Sequence, residues 1–423
     1  MDSILRVIKK FIPKTLFVRL QPTYHYILAF TSALLYRFPS RKLYVIAVTG
    51  TKGKSSTAEL INAILEKAGY MTAVADTIRF KIGVSSERNL YKMTMPGRFF
   101  MQRFLRRAVS SGTTHVVIEM TSEGAKLYRH AFIELDALIF TNLSPEHIES
   151  HGSFEKYLGA KLRLRDRLVH SHKERKAVIA NIDDPHGKDF LAVGSGVTQV
   201  SYSLSDAANA KGTPAISFSY GGEVYTSPLQ GEFNIYNILA AIKLAEYLGI
   251  KKETVRDALA AFSTIPGRVE YVRAGQPFSV IVDYAHTPDS LEQLYKAFEG
   301  KKKICVLGNT GGGRDTWKRP AMGALAETYC DMVILTDEDP YDEDPRSIIE
   351  DMTAGMKKKP TVIMDRREAI YTACLNAQRD DVVLITGKGT DPYIMRANGA
   401  KEVWSDRTVA EEELKKLLTN EQR

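Results

Sequence analysis

The chain has 423 residues, 44% of them hydrophobic and 26% charged, with a formal net charge of +8. That is enough for two or three domains with cores of their own, and the composition excludes a disordered, collagenous or disulfide-stapled scaffold. The cationic excess suits an anionic partner, but no nucleic-acid module stands in the sequence, and phosphate-bearing small molecules meet the same charge.

Residues 1–42 carry Arg6, Lys9, Lys10, Lys14, Arg19, Arg37, Arg41 and Lys42 against one acid, Asp2. They read as one or two basic amphipathic helices. Their longest apolar stretch, residues 26–36, is too short and too interrupted to span a bilayer, and no cleavage site follows it. From Leu43 the runs LYVIAVT, TAVAD, HVVIEM, DALIFTN and AVIANI alternate with helical spacings, which predicts a parallel sheet covered on both faces. Across residues 197–230 the runs TQVSYS, AISFSY and EVYTSP around Gly221 and Gly222 predict a small antiparallel excursion, followed by a helix over residues 237–248. Pro266 and Gly267 break the chain. A second strand–helix series then begins with FSVIVDY, KKICVLG, DMVILT, PTVIM and DVVLITG. The three cysteines, Cys305, Cys330 and Cys374, are scattered, so neither a disulfide framework nor a CxxC metal site is expected, and a reducing cytoplasm fits best.

Residues 50–57, GTKGKSST, put a glycine-rich turn between an apolar strand and a helix starting near Ser55. Backbone amides of Gly50, Thr51, Lys52, Gly53 and Ser56 can surround phosphate oxygens there, while Lys54 adds charge and Ser55 offers a hydroxyl to Mg²⁺. The spacing departs from GxxxxGK[ST] because residue 48 is Val. The expected architecture is α/β: a basic helical segment over 1–42, a central P-loop parallel-sheet ATPase domain over 43–266, and a Rossmann-like C-terminal α/β domain over 267–423. The active site is expected between the two, beyond the carboxyl ends of the strands.

This loop resembles the GT(N/K)GK(S/T)(S/T) loop of the Mur ligase superfamily, which also holds folylpolyglutamate and cyanophycin synthetases. Later motifs keep that family's order over residues 43 to about 415. Glu119, ending HVVIEM, matches a carboxylate that takes Mg²⁺. TNLSPEHIESHG at residues 141–152 resembles TNLxxDHLDxHG, with Glu146 and Glu149 in place of two aspartates. The resemblance gives a metal role to His147 alone; for His151 a solvated side chain is the competing account. Lys161 matches the lysine that becomes carbamylated, a change that converts an ammonium into an oxygen donor for a hard cation. MTMPG at 93–97 resembles the MTTPG of the branch that adds the third residue of the stem peptide, with Met95 where a threonine stands. By that similarity Thr94, Met95, Ser122 and Arg129 line the muramoyl-peptide acceptor. GEFNIYN at 231–237 resembles GxFNxxN, whose asparagines, here Asn234 and Asn237, hold adenine; capping of the following helix is the competing account. Arg268 would reach the γ-phosphate. DYAHTPD at 283–289 reproduces a block of the tripeptide branch without substitution and brings Asp283, for a ribose hydroxyl, and His286.

At the amino-acid end, GGGRD resembles GGDRD and keeps Arg314. Where diaminopimelate-adding enzymes carry DNPR, this chain reads Asp337-Glu338-Asp339-Pro340-Tyr341. Tyrosine cannot form a bidentate pair with a carboxylate, and the three acids favour a distal ammonium as in lysine. GKGTD at 387–391 replaces GKGHE, keeping Gly387 and an acid at Asp391. The resemblance implies a cytoplasmic, monomeric enzyme using ATP, two Mg²⁺ ions and carbamylated Lys161 to join an amino acid to a muramoyl peptide through an acyl phosphate. Typical members begin with a further uridine-binding domain, for which residues 1–42 are too few. The segment then clamps a diphosphate itself, or the acceptor is lipid-linked and the segment rests on a membrane surface, or it is a packing helix with a solvated basic face; a folylpolyglutamate-type ligase is the enzyme alternative.

Overall fold

The computed structural model describes residues 14–421 apart from His147 and Arg314. They form two compact units. The first runs to Leu143 and adds Glu155–Tyr202 and Lys243–Leu248; the second comprises Ser144–Phe154, Ser203–Ile242 and Gly249–Arg423.

In the first unit β1 (Tyr44–Thr49), β2 (Thr72–Ala75), β3 (Arg79–Ile82), β4 (Ser85–Arg88), β5 (His115–Glu119), β6 (Ala137–Phe140), β7 (Ala177–Asn181) and β8 (Thr198–Tyr202) form one sheet in the order β4-β3-β2-β5-β1-β6-β7-β8. The continuous apolar run of β1 is explained by its place. Val45, Ile46, Ala47 and Val48 are fully buried, as a central parallel strand covered on both faces requires. β1 pairs in parallel with β5 on one side and β6 on the other, so the chain leaving β1 emerges between the carboxyl ends of two neighbours. The β3–β4 hairpin, joined to the sheet by antiparallel pairing of β3 with β2, has no signal in the apolar pattern because all four residues of β4, SSER, are exposed.

One strand is placed differently from the sequence reading. TQVSY forms β8, which pairs in parallel with β7 and closes the large sheet. The small antiparallel sheet of the second unit is instead β9 (Ala208–Lys211), β10 (Ile216–Tyr220) and β11 (Glu223–Ser227), and β10 and β11 turn at Gly221 and Gly222 as expected. β9 reads ANAK and is exposed throughout, so it carries no alternation to detect.

The second unit's main sheet has the order β12-β13-β17-β14-β15-β16, from β12 (Glu270–Val272), β13 (Ser279–Val282), β14 (Lys303–Leu307), β15 (Met332–Leu335), β16 (Thr361–Val362) and β17 (Val382–Ile385). Alternate side chains sort into two cores. Ile281, Cys305, Leu307, Leu335 and Leu384 pack with Leu291, Leu294 and Met322, whereas Val280, Val282, Ile304, Val306, Ile334 and Val383 pack with Ile370, Ala373 and Leu414. In the second core Arg366 forms a bidentate pair with Asp406, Nε to Oδ1 at 2.8 Å and Nη2 to Oδ2 at 2.7 Å, and both are almost fully buried. Removing one partner of such a pair strands a buried charge and costs about 3–5 kcal/mol.

The expectation of unpaired cysteines is corrected here. Cys305 and Cys330 form a disulfide with Cα atoms 6.1 Å apart, and only Cys374 is free. Cys305 lies on β14, and Cys330 follows the helix Lys318–Tyr329 that returns the chain to β15. A βα crossover brings the two together across 25 residues of sequence, which linear spacing does not reveal.

The basic N-terminal segment is helical over Lys14–Leu35; Arg6, Lys9 and Lys10 lie outside the described residues. Among the described residues no helix is long and apolar enough to cross a membrane.

Candidate active site

The phosphate loop leaves β1 at its carboxyl end. Gly50 has φ +151°, and a Cβ there would lie 1.9 Å from Thr141 Oγ1, so only glycine lets the loop pass the end of β6. Gly53, at φ 79°, is the residue before the helix Lys54–Lys67. The Asn142 side chain clamps the turn: its Oδ1 accepts from the Lys52 amide at 2.8 Å and its Nδ2 donates to Lys52 O at 3.2 Å, while Asn142 O accepts from the Thr51 amide at 2.8 Å. The amides of Thr51 and Lys52 are therefore used in shaping the loop. The first helical turn, residues 53–56, offers amides that precede any intrahelical acceptor, the arrangement that binds anions. Lys54 Nζ donates to Thr51 O at 2.8 Å and lies 3.7 Å from Glu119. Lys161 is buried beneath the loop, donating to Gly50 O. It sits 4.8 Å from the centroid of Tyr157, whose hydroxyl is 2.9 Å from Thr51 Oγ1.

Glu119, at the end of β5, is the node of the first unit. Its Oε2 accepts from Ser55 Oγ at 2.7 Å, Thr77 Oγ1 at 3.0 Å and the Thr77 amide at 3.1 Å. Thr77 Oγ1 is in turn 2.7 Å from Thr94 Oγ1, which ties the 93–97 strip to the carboxylate. Burial, then the carboxylates of Glu59 and Glu119, push the Asp76 carboxyl well above the usual range. Its Oδ2 is buried without a hydrogen-bond partner among the described residues. Ser55 and Glu119 converging beside a second crowded acid suits a divalent cation. His147 lies outside the described residues.

In the acceptor strip Met95 and Ser122 are buried, and Arg129 Nη1 donates to Met95 O. Burial, then the neighbouring Arg129 cation, lowers Arg98 to about 10, and burial lowers Arg129 as well. Two crowded, partly desolvated guanidiniums make a ready anion site. Neither Arg98 nor Thr77 emerged from the motifs: Thr77 lies in none of them, and Arg98 falls one residue past MTMPG.

In the second unit His286 Nδ1 is 2.7 Å from Tyr284 O and Nε2 is 3.1 Å from Glu146 Oε1. Two oxygens, Tyr284 O and Glu146 Oε1, flank the ring. Glu149 accepts from the Asp315 amide. Arg268 stacks over Tyr284 with its guanidinium carbon 4.4 Å from the ring centroid. Asp283 holds the turn behind it, Oδ2 accepting from the Val269 amide and Oδ1 from the Ala285 amide, both at 2.7 Å. Val269, with φ 45°, is a β-branched residue in the left-handed region, a strained conformation that its surroundings enforce. Asn234 and Asn237 are buried and linked, Asn237 Nδ2 to Asn234 Oδ1 at 2.9 Å, with Asn234 Nδ2 on Gln230 O at 2.7 Å.

At the amino-acid end the acids are already engaged. Lys388, fully buried, donates to Asp339 Oδ1 at 2.8 Å and lies 3.4 Å from Asp391 Oδ2, and Arg396 pairs with Asp337. Glu338 differs: Thr310 donates to its Oε1 at 3.1 Å, while its Oε2 is buried without a partner among the described residues. Burial, then Asp339, raises its carboxyl. A Cβ on Gly387 would lie 2.1 Å from Glu338 Oε2, so glycine is required there. Tyr341 has φ 54°, its amide donating to Met395 O at 3.1 Å. Arg314 lies outside the described residues.

Residues 48–245 match the Mur ligase middle domain, and residues 267–389 match the Mur ligase, glutamate ligase domain. A UDP-N-acetylmuramoyl-L-alanyl-D-glutamate--2,6-diaminopimelate ligase of Syntrophomonas wolfei is 37% identical over 404 residues, covering 92% of this chain and 81% of that protein. The chain belongs to the Mur ligase family. The enzyme of the same name from Bacillus cereus is 34% identical to this Mur ligase, over 93% of this chain and 83% of its own length. A solved structure of such a diaminopimelate ligase superposes with TM-score 0.60 at 29% identity, covering 89% of this chain and 79% of that one. The Mycobacterium tuberculosis folylpolyglutamate synthase bound to ADP and AMPPCP superposes with TM-score 0.68 at 18% identity, over 86% of this chain and 93% of that one; that likeness concerns the fold alone.

Proposed function

We propose that this Mur ligase joins a diamino acid to a muramoyl dipeptide with cleavage of ATP to ADP, a step of peptidoglycan precursor synthesis in the cytoplasm. The observation that carries the reading is the convergence of Ser55, Thr77 and Lys54 on Glu119 at the mouth of the phosphate loop, in a chain whose relatives bear the name of that reaction. The γ-phosphoryl group passes to the acceptor's free carboxylate and ADP leaves. The incoming amine then forms the C–N bond, and the tetrahedral adduct expels phosphate with loss of a proton.

In this reading the amides of residues 53–56 and Lys54 hold the phosphates, Arg268 meets the γ-phosphate, and Asn234 and Asn237 present their amides to adenine. Asp283 keeps Arg268 in place and faces the ribose, with His286 beside it. Ser55 and Glu119 would hold one Mg²⁺, and His147 with a carbamylated Lys161 would hold a second. These ions supply charge neutralisation at the transferring phosphoryl group. Thr94, Met95, Ser122 and Arg129 line the acceptor; Arg314, Asp339, Tyr341, Gly387 and Asp391 line the amino acid. Because Lys388 and Arg396 already neutralise Asp339 and Asp337, two of the three acids before Tyr341 no longer argue for a distal ammonium over a carboxylate. The functional halves are residues 43–266 and 267–423, acting as a monomer.

Release of ADP by the purified chain, measured with ATP, Mg²⁺, a UDP-muramoyl dipeptide and either lysine or diaminopimelate, tests this. Amine-dependent turnover with one of them is expected. No amine-dependent ADP release with either would refute it.

A further inference from the structure

Two stretches of the sequence, residues 3–58 and 88–118, contain no acid. Together they hold sixteen of the chain's 58 lysines and arginines and none of its 50 acids, so the remainder of the chain has an excess of acid. The fold puts described parts of the two side by side. The helix Lys14–Leu35 packs on the helix Arg98–Ser110, RFFMQRFLRRAVS, and Tyr24 is close enough to Arg98 to act on its charge.

The first helix is attached through small residues: Ala29, Ser32 and Ala33 are buried. Tyr26 and Phe30 pack on Phe132, whereas a set of aliphatic side chains points away. Leu20, Ile27 and Leu34, spaced by seven, are 52%, 54% and 56% exposed, and Leu35 is 65% exposed. Seven residues are close to two helical turns, so these form one line along the helix. Single exposed apolar side chains are ordinary; a continuous line of them marks an interaction surface. Beside the second helix, β3 and β4 help to enclose a cavity of about 220 Å³ lined by Phe80, Tyr91, Phe100, Arg88, Arg103 and Arg107, with Glu87 its one acidic lining residue. Phe100 packs on Phe80 at 4.7 Å and on Tyr91 at 5.1 Å between centroids. Arg103 and Arg107, one turn apart, are exposed.

We propose that this face of the first unit docks on an anionic bilayer. Leu20, Ile27 and Leu34 enter the boundary between headgroups and acyl chains, and Arg103 and Arg107 take a lipid phosphate at the aromatic cavity. The charge selects this occupant. A second copy would bring Arg103 and Arg107 against the same arginines, which like-charge repulsion opposes. Nucleic acid would satisfy the arginines and leave the line of aliphatic side chains in water. The inference goes beyond the ligase reading and does not depend on it.

Flotation of the full chain with vesicles of phosphatidylcholine alone, or mixed with phosphatidylglycerol, tests it. Binding to the mixed vesicles is expected, weak binding to the neutral ones, and loss of binding at high salt. Reversing Arg103 and Arg107 together (R103E/R107E) is expected to lower the bound fraction by about tenfold or more, and Ile27→Ser with Leu34→Ser is expected to do the same. Both variants should release ADP in vesicle-free solution at the wild-type rate, which separates failure of docking from failure of the ligase. The proposal is overturned if the wild-type chain does not float with anionic vesicles, if it floats equally with neutral ones, or if both variants float as it does. A dimer in light scattering that Ile27→Ser with Leu34→Ser dissociates would also overturn it.

Discussion

Replacing Thr77 by valine removes one hydroxyl while keeping shape and backbone. In the protein that hydroxyl donates to Glu119 Oε2 at 3.0 Å and meets Thr94 Oγ1 at 2.7 Å. Ser55 and the Thr77 amide still hold the same carboxylate oxygen, so Glu119 keeps two of its three donors and the chain should fold. A hydrogen bond to a charged acceptor contributes about 1.5–3 kcal/mol, and each 1.4 kcal/mol is about tenfold in affinity. Part of that is recovered by water reaching the carboxylate. Loss of a hydrogen bond that orients a metal-binding carboxylate typically costs about 10–100-fold in metal affinity or activity. Thr77→Val should therefore raise the Mg²⁺ concentration needed for half-maximal ADP release by about tenfold or more, and Thr77→Ser should restore it. The assay is ADP release against Mg²⁺ at saturating ATP, acceptor and amino acid, with thermal unfolding as a check on folding. A valine variant with the wild-type Mg²⁺ midpoint and turnover would refute the placement of a cation at Ser55 and Glu119.

Arg98→Gln should raise the KM for the muramoyl acceptor by about tenfold or more, since a charge-assisted hydrogen bond is lost, with kcat little changed. Initial rates against acceptor concentration at fixed ATP check this, and an unchanged KM would remove Arg98 from the acceptor site. Burial holds His130 at about 4, below its usual value, with the nearby Arg167 and Arg163 cations acting in the same direction. Between about pH 6.5 and 4 the unfolded chain binds a proton there that the folded chain does not, so stability falls as pH falls through that window, by up to about 3 kcal/mol. Urea unfolding at neutral and mildly acidic pH should show His130→Phe losing less stability than the wild type. Finally, the chain unfolded without reductant should expose one titratable thiol, Cys374, and three after reduction. Cys330→Ser should destabilise by about 3 kcal/mol, the loop-closure value for a loop of this order.

The sequence by itself determined the strands of both main sheets that are buried on two faces, and the phosphate loop between the first of them and its helix. Apolar runs such as VIAVT and VVLIT can be covered only from both sides, and GTKGK admits few backbone conformations. Elements with no apolar alternation stayed silent: β4 and β9 are exposed, and the edge position of β8 follows from its partner β7 rather than from its own residues. At the site, the motifs located Ser55, Glu119 and Arg268, but the tertiary structure decided what each touches. Thr77 reaches Glu119 across 42 residues and Asn142 reaches Lys52 across 90, because parallel strands far apart in sequence end at one edge. The same closure pairs Cys305 with Cys330, and it lets Lys388 and Arg396 neutralise Asp339 and Asp337, two of the three acids before Tyr341 that look free in the linear chain. Local pattern reports which face of an element is buried; which charge meets which is settled only when the strands are side by side.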